Sequence, residues 1–299
     1  MNHQPVVSIL MTAYNRENYI AEAIESVLAS TYTNFELLIS DDASTDNTLA
    51  IAQMYERKDS RIKVYENKIN KGDYPNRNIV ASYAKGKYIK YIDSDDIIFS
   101  NGLKKMVESM ELFPEAAFGI SQFVFDKSIA YPQLISPEQA YKQHYYGYEL
   151  LRYGPVGVII NREIFMKENG FNKDRYISDT ELWLRLSAIY PIVKIEPDVV
   201  FWRKHGKQEF NYGMNNFSYL RLAYPVYMKS LQSKNCPLNG EDILAIKHRL
   251  QWKHARDIIS LAFKTLHPAY AYLIYRESGI NFIQLLKGFF PFKKYKNKC

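Results

Sequence analysis

The sequence predicts an α/β fold, in which a mainly parallel but mixed sheet is flanked by helices and followed by a helical C-terminal extension. Two alternating patterns over the first hundred residues support this prediction. Short apolar runs rich in β-branched residues indicate strands, and the stretches of helical periodicity between them indicate helices. Helices of this length between strands imply right-handed crossovers and therefore parallel strands. A chain of 299 residues that is 47% hydrophobic can also bury a large core, which excludes an intrinsically disordered protein.

The first hundred residues supply four predicted strands and three predicted helices. Continuous apolar runs are typical of strands that are buried on both faces. The predicted strands lie at 6–11, 35–39, 62–65 and 88–92. Apolar residues at helical spacing predict helices at 20–28, from 44 to about 55, and at 76–84.

The pattern is looser in the rest of the chain. Further strands are predicted at 117–125, 156–160, 193–195 and 199–202, and helices at 103–113 and 181–189. Residues 126–155 are expected to hold loops and one short helix, because they are rich in Tyr, Pro and Gln. A polar stretch at 210–216 separates this mixed region from a tail that is predicted to be helical from Phe217 onward.

Polar side chains follow three of the apolar strands, at the point where each strand ends. The residues are Thr12–Asn15 after the first strand, Ser40–Asp42 after the second and Asp93–Asp96 after the fourth. In an open parallel sheet the carboxyl ends of the strands meet at one edge, where ligands bind. We therefore expect five acidic residues to converge on one crevice. For Asp96 or Asp46 taken alone, a turn or a helix cap is an equally good explanation.

A crevice of this kind is suited to a divalent cation. Clustered carboxylates repel one another unless a cation compensates them. Mg²⁺ and Mn²⁺ take one or two carboxylates and complete their coordination with water and substrate phosphates. The Asp93-Ser94-Asp95 sequence can present two carboxylates to one such ion.

Four segments resemble the family 2 glycosyltransferases in order and spacing over about residues 5–205. They are VSILMTAYNRENYI, FELLISDDASTDNT, YENKINKGDYPNRNIVASYAKGKYIKYIDSDDI and SDTELWLRL. The resemblance implies an inverting enzyme with the Rossmann-like GT-A fold that uses a nucleotide-diphosphate sugar. It implies a catalytic domain at 1–212, with a nucleotide-binding half at about 1–100 and an acceptor half at about 101–212, and a basic helical region at 213–299.

The same resemblance assigns roles to individual residues. It places Thr12 and Tyr14 at the nucleotide base, with Tyr14 stacking on it, and Asp42 as acceptor of the uracil imide hydrogen. It makes Arg77 a phosphate contact, although a solvated helix charge remains an alternative. Further nucleotide contacts are Asn15, Asp93 and Ser94. The implied ligands of Mn²⁺ or Mg²⁺ are Asp95, Asp93 and His205, the last in an Arg-x-His element with Arg203.

Asp179 is the candidate general base. An inverting transfer needs a carboxylate that takes the proton of the acceptor hydroxyl as the new bond forms. The resemblance aligns Asp179 with this base, whereas its position at the start of a predicted helix favours a simple N-cap. The family commonly has Glu where this chain has Ser178, so Glu181 is a backup candidate.

The net charge of +7 is unevenly distributed along the chain. Residues 243–299 contain 11 Lys and Arg but two acids, so the tail carries +9 and residues 1–242 carry −2. The end of the tail, 287–299, combines aromatic and lysine residues without any acid, which suits the surface of an anionic membrane. The alternative is a helical subdomain packed on the catalytic core, with a solvated basic end.

The remaining composition indicates the compartment. Two cysteines fit a reducing environment, the N-terminus does not read as a cleaved signal peptide, and no apolar run approaches the roughly 18 residues of a bilayer span. We expect a cytoplasmic enzyme, peripheral on the cytoplasmic face of the inner membrane.

The leading interpretation is a hexosyl- or N-acetylhexosaminyl-type transferase. It would move one sugar, with UDP favoured by resemblance alone, to a glycan or lipid-linked saccharide in bacterial surface polysaccharide synthesis. A nucleotidyltransferase is less consistent, because 12–16 lacks the glycine of a phosphate loop. A nucleic-acid-binding protein would use the basic tail, but it leaves the acidic crevice unexplained, so no nucleic acid is expected.

Overall fold

The computed structural model describes residues 4–121, 128–147, 149–206 and 208–292. The strands are β1 Val7–Ala13, β2 Phe35–Asp41, β3 Ile62–Glu66, β4 Tyr88–Asp93, β5 Ile97–Ile98, β6 Phe118–Ser121, β7 Gln133–Ile135, β8 Val158–Asn161, β9 Ile192–Ile195 and β10 Val200–Phe201. The helices are α1 Ile20–Leu28, α2 Thr48–Glu56, α3 Asp73–Ser82, α4 Gly102–Glu111, α5 Pro137–Tyr146, α6 Arg162–Lys167, α7 Ser178–Ser187, α8 Glu209–Asn215, α9 Ser218–Gln232, α10 Gly240–Phe263, α11 Pro268–Ser278 and α12 Phe282–Lys287.

Eight strands form one mixed sheet in the order β3-β2-β1-β4-β8-β6-β9-β7. Strands β1 to β4 run parallel, whereas β8 runs antiparallel to both β4 and β6. The α/β fold that the sequence predicts is therefore confirmed. The strand order changes direction at β1, which lies between β2 and β4, and this is the edge where a ligand crevice is expected.

The central strand β1 is buried on both faces, so its residues alternate between two apolar cores. Leu10 packs in the core that contains Tyr91 and Trp183. Ile9 packs on the opposite face, in the core that contains Ile24 of α1. Helices on both sides of the sheet thus hold the carboxyl end of β1 in a fixed position.

Several boundaries differ from the sequence expectations. Helix α3 begins at Asp73 instead of residue 76, because Gly72 adopts φ 88° and turns the chain into the helix. The strand expected at 156–160 begins at Val158, since a 3₁₀ turn occupies 155–157. The strand expected at 117–125 is seen as β6, and 122–125 lie outside the described residues. The polar stretch 210–216, expected to separate two regions, lies mostly within α8.

The helical extension packs on the catalytic core. Tyr227 and Leu231 of α9 belong to the core beneath α7. The Tyr145 hydroxyl of α5 lies 2.5 Å from Ser230 Oγ of α9. Helix α10 then holds α11 and α12 through a separate apolar cluster. No helix among the described residues combines the length and hydropathy that a membrane crossing needs.

The short ladder β5–β10 holds the chain that follows β10 beside the end of β4. Gly102 of α4 approaches this ladder so closely that a Cβ would lie 2.2 Å from the Val199 carbonyl oxygen. We expect Gly102→Ala to lower the free energy of unfolding by about 1–3 kcal/mol, because the backbone contact cannot yield. Chemical denaturation measures this. Gly240→Ala, where no atom lies within 4 Å of the added Cβ, is the matched control, and an equal loss there would contradict the close-approach explanation.

Candidate active site

A cleft of about 730 Å³ opens at the carboxyl ends of β1, β2 and β4. The strand register explains why the polar residues meet there, because Thr12 pairs with Asp93 and Ala13 pairs with Asp41. Eight of the residues expected at the site line this cleft: Thr12, Tyr14, Asp42, Arg77, Asp93, Ser94, Asp95 and Asp179. Asn15 and His205 are absent from the lining, although His205 contacts the lining residue Asp95.

At the β2 end of the cleft, Asp42 organises a loop. Its carboxylate accepts hydrogen bonds from the backbone N–H of Lys71 at 2.8 Å and of Gly72 at 2.9 Å, and from Asn67 Nδ2 at 2.8 Å. These bonds draw the start of α3 towards β2. Tyr14 beside them is 45% exposed, so its ring is open to a ligand.

Asn15 has a structural position next to the cleft. Its φ of 52° turns the chain at the end of β1, and its Oδ1 accepts the Thr45 N–H at 2.8 Å. The Asn15 side chain therefore joins the turn after β1 to the turn after β2. The expected nucleotide contact from Asn15 is not supported by this orientation.

Three carboxylates cluster after β4. One ligand atom from each of Asp93, Asp95 and Asp96 lies within 4.8 Å of the others. Burial raises the pKa of Asp96 above its usual value, and the Asp93 and Asp95 carboxylates raise it further. The buried Asp96 Oδ2 has no hydrogen-bond partner. This oxygen-rich donor set fits a hard divalent cation, which would relieve the repulsion.

An arginine and a histidine reach the same oxygen of Asp95. Arg16 Nε lies 2.8 Å and His205 Nε2 lies 2.9 Å from Asp95 Oδ2. The Tyr19 ring stacks on the imidazole at 4.7 Å and fixes its plane. The structure thus brings His205 to the acidic cluster. Sequence reasoning missed Arg16, although a cation two residues after Tyr14 at a strand end was a usable signal.

The segment after β10 also closes around the cluster. The Arg203 backbone N–H donates to Asp96 Oδ1 at 3.0 Å, and Arg203 Nε donates to the Asp95 carbonyl oxygen at 3.0 Å. Asp96 is therefore part of the cluster, and the interpretation of it as an isolated turn residue does not hold. The expected Arg-x-His element packs directly against the loop that carries the carboxylates.

Arg77 is buried and links two carboxylates of the cleft. It donates to Asp73 Oδ1 at 2.8 Å and to Asp93 Oδ1 at 2.6 Å. The alternative of a solvated helix charge is wrong, because Arg77 is 4% exposed. Its buried Nη1 has no hydrogen-bond partner. Asp73, which sequence reasoning did not single out, holds Arg77 in place from the first turn of α3.

Asp179 lies in the first turn of α7 and lines the cleft. The N-cap position is Ile177, but Asp179 Oδ1 accepts the Thr180 N–H at 2.6 Å, so the carboxylate also stabilises the start of the helix as the capping alternative expects. Burial raises the pKa of the Asp179 carboxyl to about 7, and the nearby Asp73 carboxylate adds to the rise. A carboxylate with this pKa is well matched to proton abstraction near neutral pH.

The backup candidate has a different role in the structure. Glu181 accepts from Arg185 Nε at 2.9 Å along the helix and is absent from the cleft lining. The Arg185 guanidinium also donates to the carbonyl oxygen of Gly170. Glu181 therefore stabilises α7 and its approach to the preceding loop. Of the two carboxylates, Asp179 is the one that faces the cleft.

The mixed sheet, with a polar cleft at the carboxyl ends of its parallel strands, is the GT-A fold of glycosyltransferases. The chain belongs to glycosyl transferase family 2, whose family model matches residues 8–168.

Bacterial relatives agree with this assignment. The chain is 45% identical over 105 residues to the Escherichia coli UDP-Glc:alpha-D-GlcNAc-diphosphoundecaprenol beta-1,3-glucosyltransferase WfgD, which is 35% of this chain and 41% of that protein. It is 30% identical over 226 residues to an uncharacterized glycosyltransferase of Haemophilus influenzae, covering 70% of this chain and 68% of the relative. The chain thus spans less than half of the length of WfgD.

Two solved structures share the fold. Staphylococcus aureus TarS 1–349 in complex with UDP-GlcNAc has a TM-score of 0.64 at 18% identity, over 86% of this chain and 73% of TarS. The mannosyltransferase PcManGT from Pyrobaculum calidifontis, in complex with GDP-Man and Mn²⁺, has a TM-score of 0.61 at 15% identity, over 96% and 86%. At these identities the likeness establishes the fold.

Proposed function

We propose that the protein is an inverting glycosyltransferase. It moves one hexosyl or N-acetylhexosaminyl unit from a UDP-sugar to a glycan or lipid-linked saccharide in bacterial surface polysaccharide biosynthesis. One observation carries this proposal: a single cleft has the acidic cluster of 93–96 at one end and the Asp179 carboxyl in its wall. The acidic cluster would thus serve the donor diphosphate, and Asp179 would take the proton of the acceptor hydroxyl in the same cleft.

The donor nucleotide binds at the β1–β2 end of the cleft. Tyr14 stacks on the base, and the loop that Asp42 holds forms the opposite wall. Thr12, Ser94 and Arg77 line the path towards the diphosphate. The UDP-GlcNAc in TarS and the UDP-Glc in the name of WfgD support uridine as the base.

A divalent cation, Mn²⁺ or Mg²⁺, is held by Asp95, Asp93 and Asp96, with His205 at the edge of the cluster. When bound there, such a cation supplies positive charge that offsets the charge developing on the leaving diphosphate. Arg16 and His205 balance Asp95 when the cation is absent. The Mn²⁺ that accompanies GDP-Man in PcManGT supports this choice of cofactor.

Asp179 acts as the general base. The acceptor hydroxyl donates its hydrogen to the Asp179 carboxylate while its oxygen attacks the anomeric carbon from the face opposite the diphosphate. One displacement of this kind inverts the anomeric configuration. The raised pKa, about 7, keeps the carboxylate basic enough to hold the proton that it receives.

The decisive experiment is a hydrolysis screen of nucleotide sugars in the presence of Mn²⁺ or Mg²⁺. We expect the protein to release UDP slowly from one UDP-sugar, because water can replace the acceptor at Asp179. Release of pyrophosphate from a nucleoside triphosphate and a sugar phosphate would instead indicate a nucleotidyltransferase. No release from any nucleotide sugar, together with no thermal stabilisation by UDP and Mn²⁺, would contradict the proposal.

The same proposal places the enzyme on the cytoplasmic face of an anionic membrane. None of the residues of α12 is buried. The apolar residues along one side of α12 and the following turn are 40–68% exposed: Phe282, Ile283, Leu286, Phe289 and Phe290. Residues 278–299 contain five lysines and no acid, and 293–299 lie outside the described part. Exposed aromatics beside lysines suit the interface of anionic lipids.

We expect the double variant Phe282→Ser with Phe289→Ser to bind anionic vesicles at least about tenfold more weakly, since each buried phenylalanine contributes about 1.5–3 kcal/mol. Sedimentation with phosphatidylglycerol vesicles measures the binding, and phosphatidylcholine vesicles test the need for charge. Leu112→Ser, at an exposed leucine on α4, is the matched control. Undiminished binding of the double variant would refute the membrane surface.

A further inference from the structure

A continuous set of aromatic rings lines the Asp179 side of the cleft. We call the four residues Tyr176, Trp202, Phe210 and Tyr219 the aromatic wall; all of them line the cleft. Tyr219 lies 5.7 Å from Tyr176 and 5.6 Å from Phe210, measured between ring centroids. Phe210 in turn meets Trp202 edge-on at 5.5 Å. Such edge-on and tilted contacts fix the rings relative to one another.

The aromatic wall is built by close packing at a glycine. Gly213 of α8 is buried, and a Cβ there would lie 2.6 Å from Tyr219 Cε2 and 2.8 Å from Tyr176 Cδ1. Tyr176 itself adopts φ 72°, a left-handed conformation that costs energy for a residue with a side chain. The strained backbone of Tyr176 and the need for glycine at 213 indicate that the fold holds these rings in fixed positions.

The position of the wall matches that of the acceptor. The hydroxyl that attacks must reach Asp179, so the group that carries it lies within about one sugar ring of that carboxylate. Tyr176 precedes Asp179 by three residues. Tyr219 and Asp179 line the same cleft, and burial together with the Asp179 charge raises the pKa of Tyr219. The wall therefore borders the space that the acceptor must enter.

Two arginines of the cleft lining are paired with carboxylates. Arg175 is paired with Glu209, and its guanidinium lies 5.0 Å from the centre of the Tyr176 ring. Arg152 is paired with Glu149 at 2.6 Å. Lys173 is a further cation of the same lining, whereas the wall itself offers ring faces for apolar contact with an acceptor. The C–H face of a pyranose ring has this character, and its hydroxyls remain free to point at Asp179.

We propose that the aromatic wall is the acceptor subsite, which holds the terminal, uncharged pyranose ring of the acceptor against Tyr219 and Phe210. This inference rests on the proposed glycosyl transfer and adds to it the location and chemistry of the second substrate. Phe210, Gly213 and Tyr219 lie beyond the family match, which ends at residue 168. In this proposal the helices α8 and α9 supply acceptor recognition, and the segment matched by the family model supplies the nucleotide contacts.

The test measures saccharide binding by saturation-transfer NMR with a panel of methyl pyranosides, in the presence of UDP and Mn²⁺. The variants Phe210→Leu and Tyr219→Leu remove the ring faces and keep apolar volume. We expect each to weaken binding of the preferred pyranoside by at least about tenfold, the cost typical of losing an anchoring aromatic contact. Gly213→Ala, which displaces both tyrosines, is expected to do the same.

Tyr212→Leu is the matched control. Tyr212 is an exposed aromatic residue of α8, the helix that carries Phe210, and its side chain does not line the cleft. Affinity for the UDP-sugar in the presence of Mn²⁺ should stay within about twofold in every variant, since the proposed nucleotide contacts belong to the ends of β1, β2 and β4 and the wall belongs to none of these strands. A second arm uses the same sugar on an alkyl diphosphate, which distinguishes a lipid-linked acceptor from a free glycan.

Two results would overturn the inference. The first is that the wild-type chain binds neither a methyl pyranoside nor the sugar on an alkyl diphosphate. The second is that all three wall variants bind the preferred pyranoside as tightly as the wild-type chain does. Affinity for the UDP-sugar that falls together with pyranoside binding would assign the wall to the donor sugar and would also refute the inference. Failure of the proposed function is distinguishable, because it removes donor hydrolysis from the wild-type chain and leaves the pyranoside measurement intact.

Discussion

Replacing Asp95 with asparagine is expected to abolish sugar transfer. The substitution keeps the size of the side chain but removes the charge that Arg16 contacts together with His205 and that the proposed cation would require. We expect kcat/KM to fall by at least about a hundredfold, the cost of removing one electrostatic contact to a developing charge. The dependence of nucleotide affinity on Mn²⁺ should be lost with it. Steady-state kinetics and calorimetric titration of UDP, each with and without Mn²⁺, measure these effects.

The control for this variant is Asp174→Asn, which alters an exposed carboxylate outside the cleft lining. It should leave both turnover and Mn²⁺ dependence unchanged. Wild-type turnover in Asp95→Asn would show that the acidic cluster has no role in the reaction.

The second large effect is expected for Asp179→Asn. The asparagine amide cannot accept the acceptor proton in the way that a carboxylate does, so we expect kcat to fall by about 10²–10⁴. Donor binding should change little, because Asp179 is separate from the β1–β2 end of the cleft. Near wild-type kcat with acceptor present would mean that another group is the base, and Glu181→Gln is the variant to compare because Glu181 pairs with Arg185.

The pH dependence of kcat tests the same assignment. Burial raises the pKa of Asp179 to about 7, and a base acts only in its unprotonated form. The rate should therefore rise with pH through about 7 and fall roughly tenfold per pH unit well below it. The small residual rate of Asp179→Asn should lack this limb. A wild-type rate that is flat from pH 5 to 8 would contradict the assignment.

The nucleotide-binding half could be predicted closely from the sequence. Strands β1, β2 and β4 are continuous apolar runs, and each ends in polar residues at a point where the chain leaves the sheet. Parallel pairing then brings those ends together without further information. Strand β10 lies within the strand predicted at 199–202, but its partner β5 was not foreseen, because a two-residue strand has no periodicity and depends on contacts such as that between Gly102 and Val199.

The site was predictable where a role follows from a residue's place on a strand. Asp42, Asp93 and Asp95 stand at strand ends, and the structure brings all three to the cleft. Arg16 and Asp73 were missed because their positions depend on how α1 and α3 approach the sheet from either side. The aromatic wall was missed for a similar reason, since Phe210 and Tyr219 fall in a stretch that reads as a polar linker followed by a uniform helical tail.

The central claim is that different carboxylates of one cleft serve the two substrates. The acidic cluster binds the donor diphosphate through a cation, and Asp179 takes the proton of the acceptor hydroxyl. The most direct test is a calorimetric titration of UDP with Mn²⁺ into the wild-type chain, Asp95→Asn and Asp179→Asn, paired with the transfer rate of each. We expect Asp95→Asn to lose both binding and transfer, and Asp179→Asn to keep wild-type binding while it loses transfer. Equal loss of UDP binding in both variants, or full transfer in either, would contradict the claim.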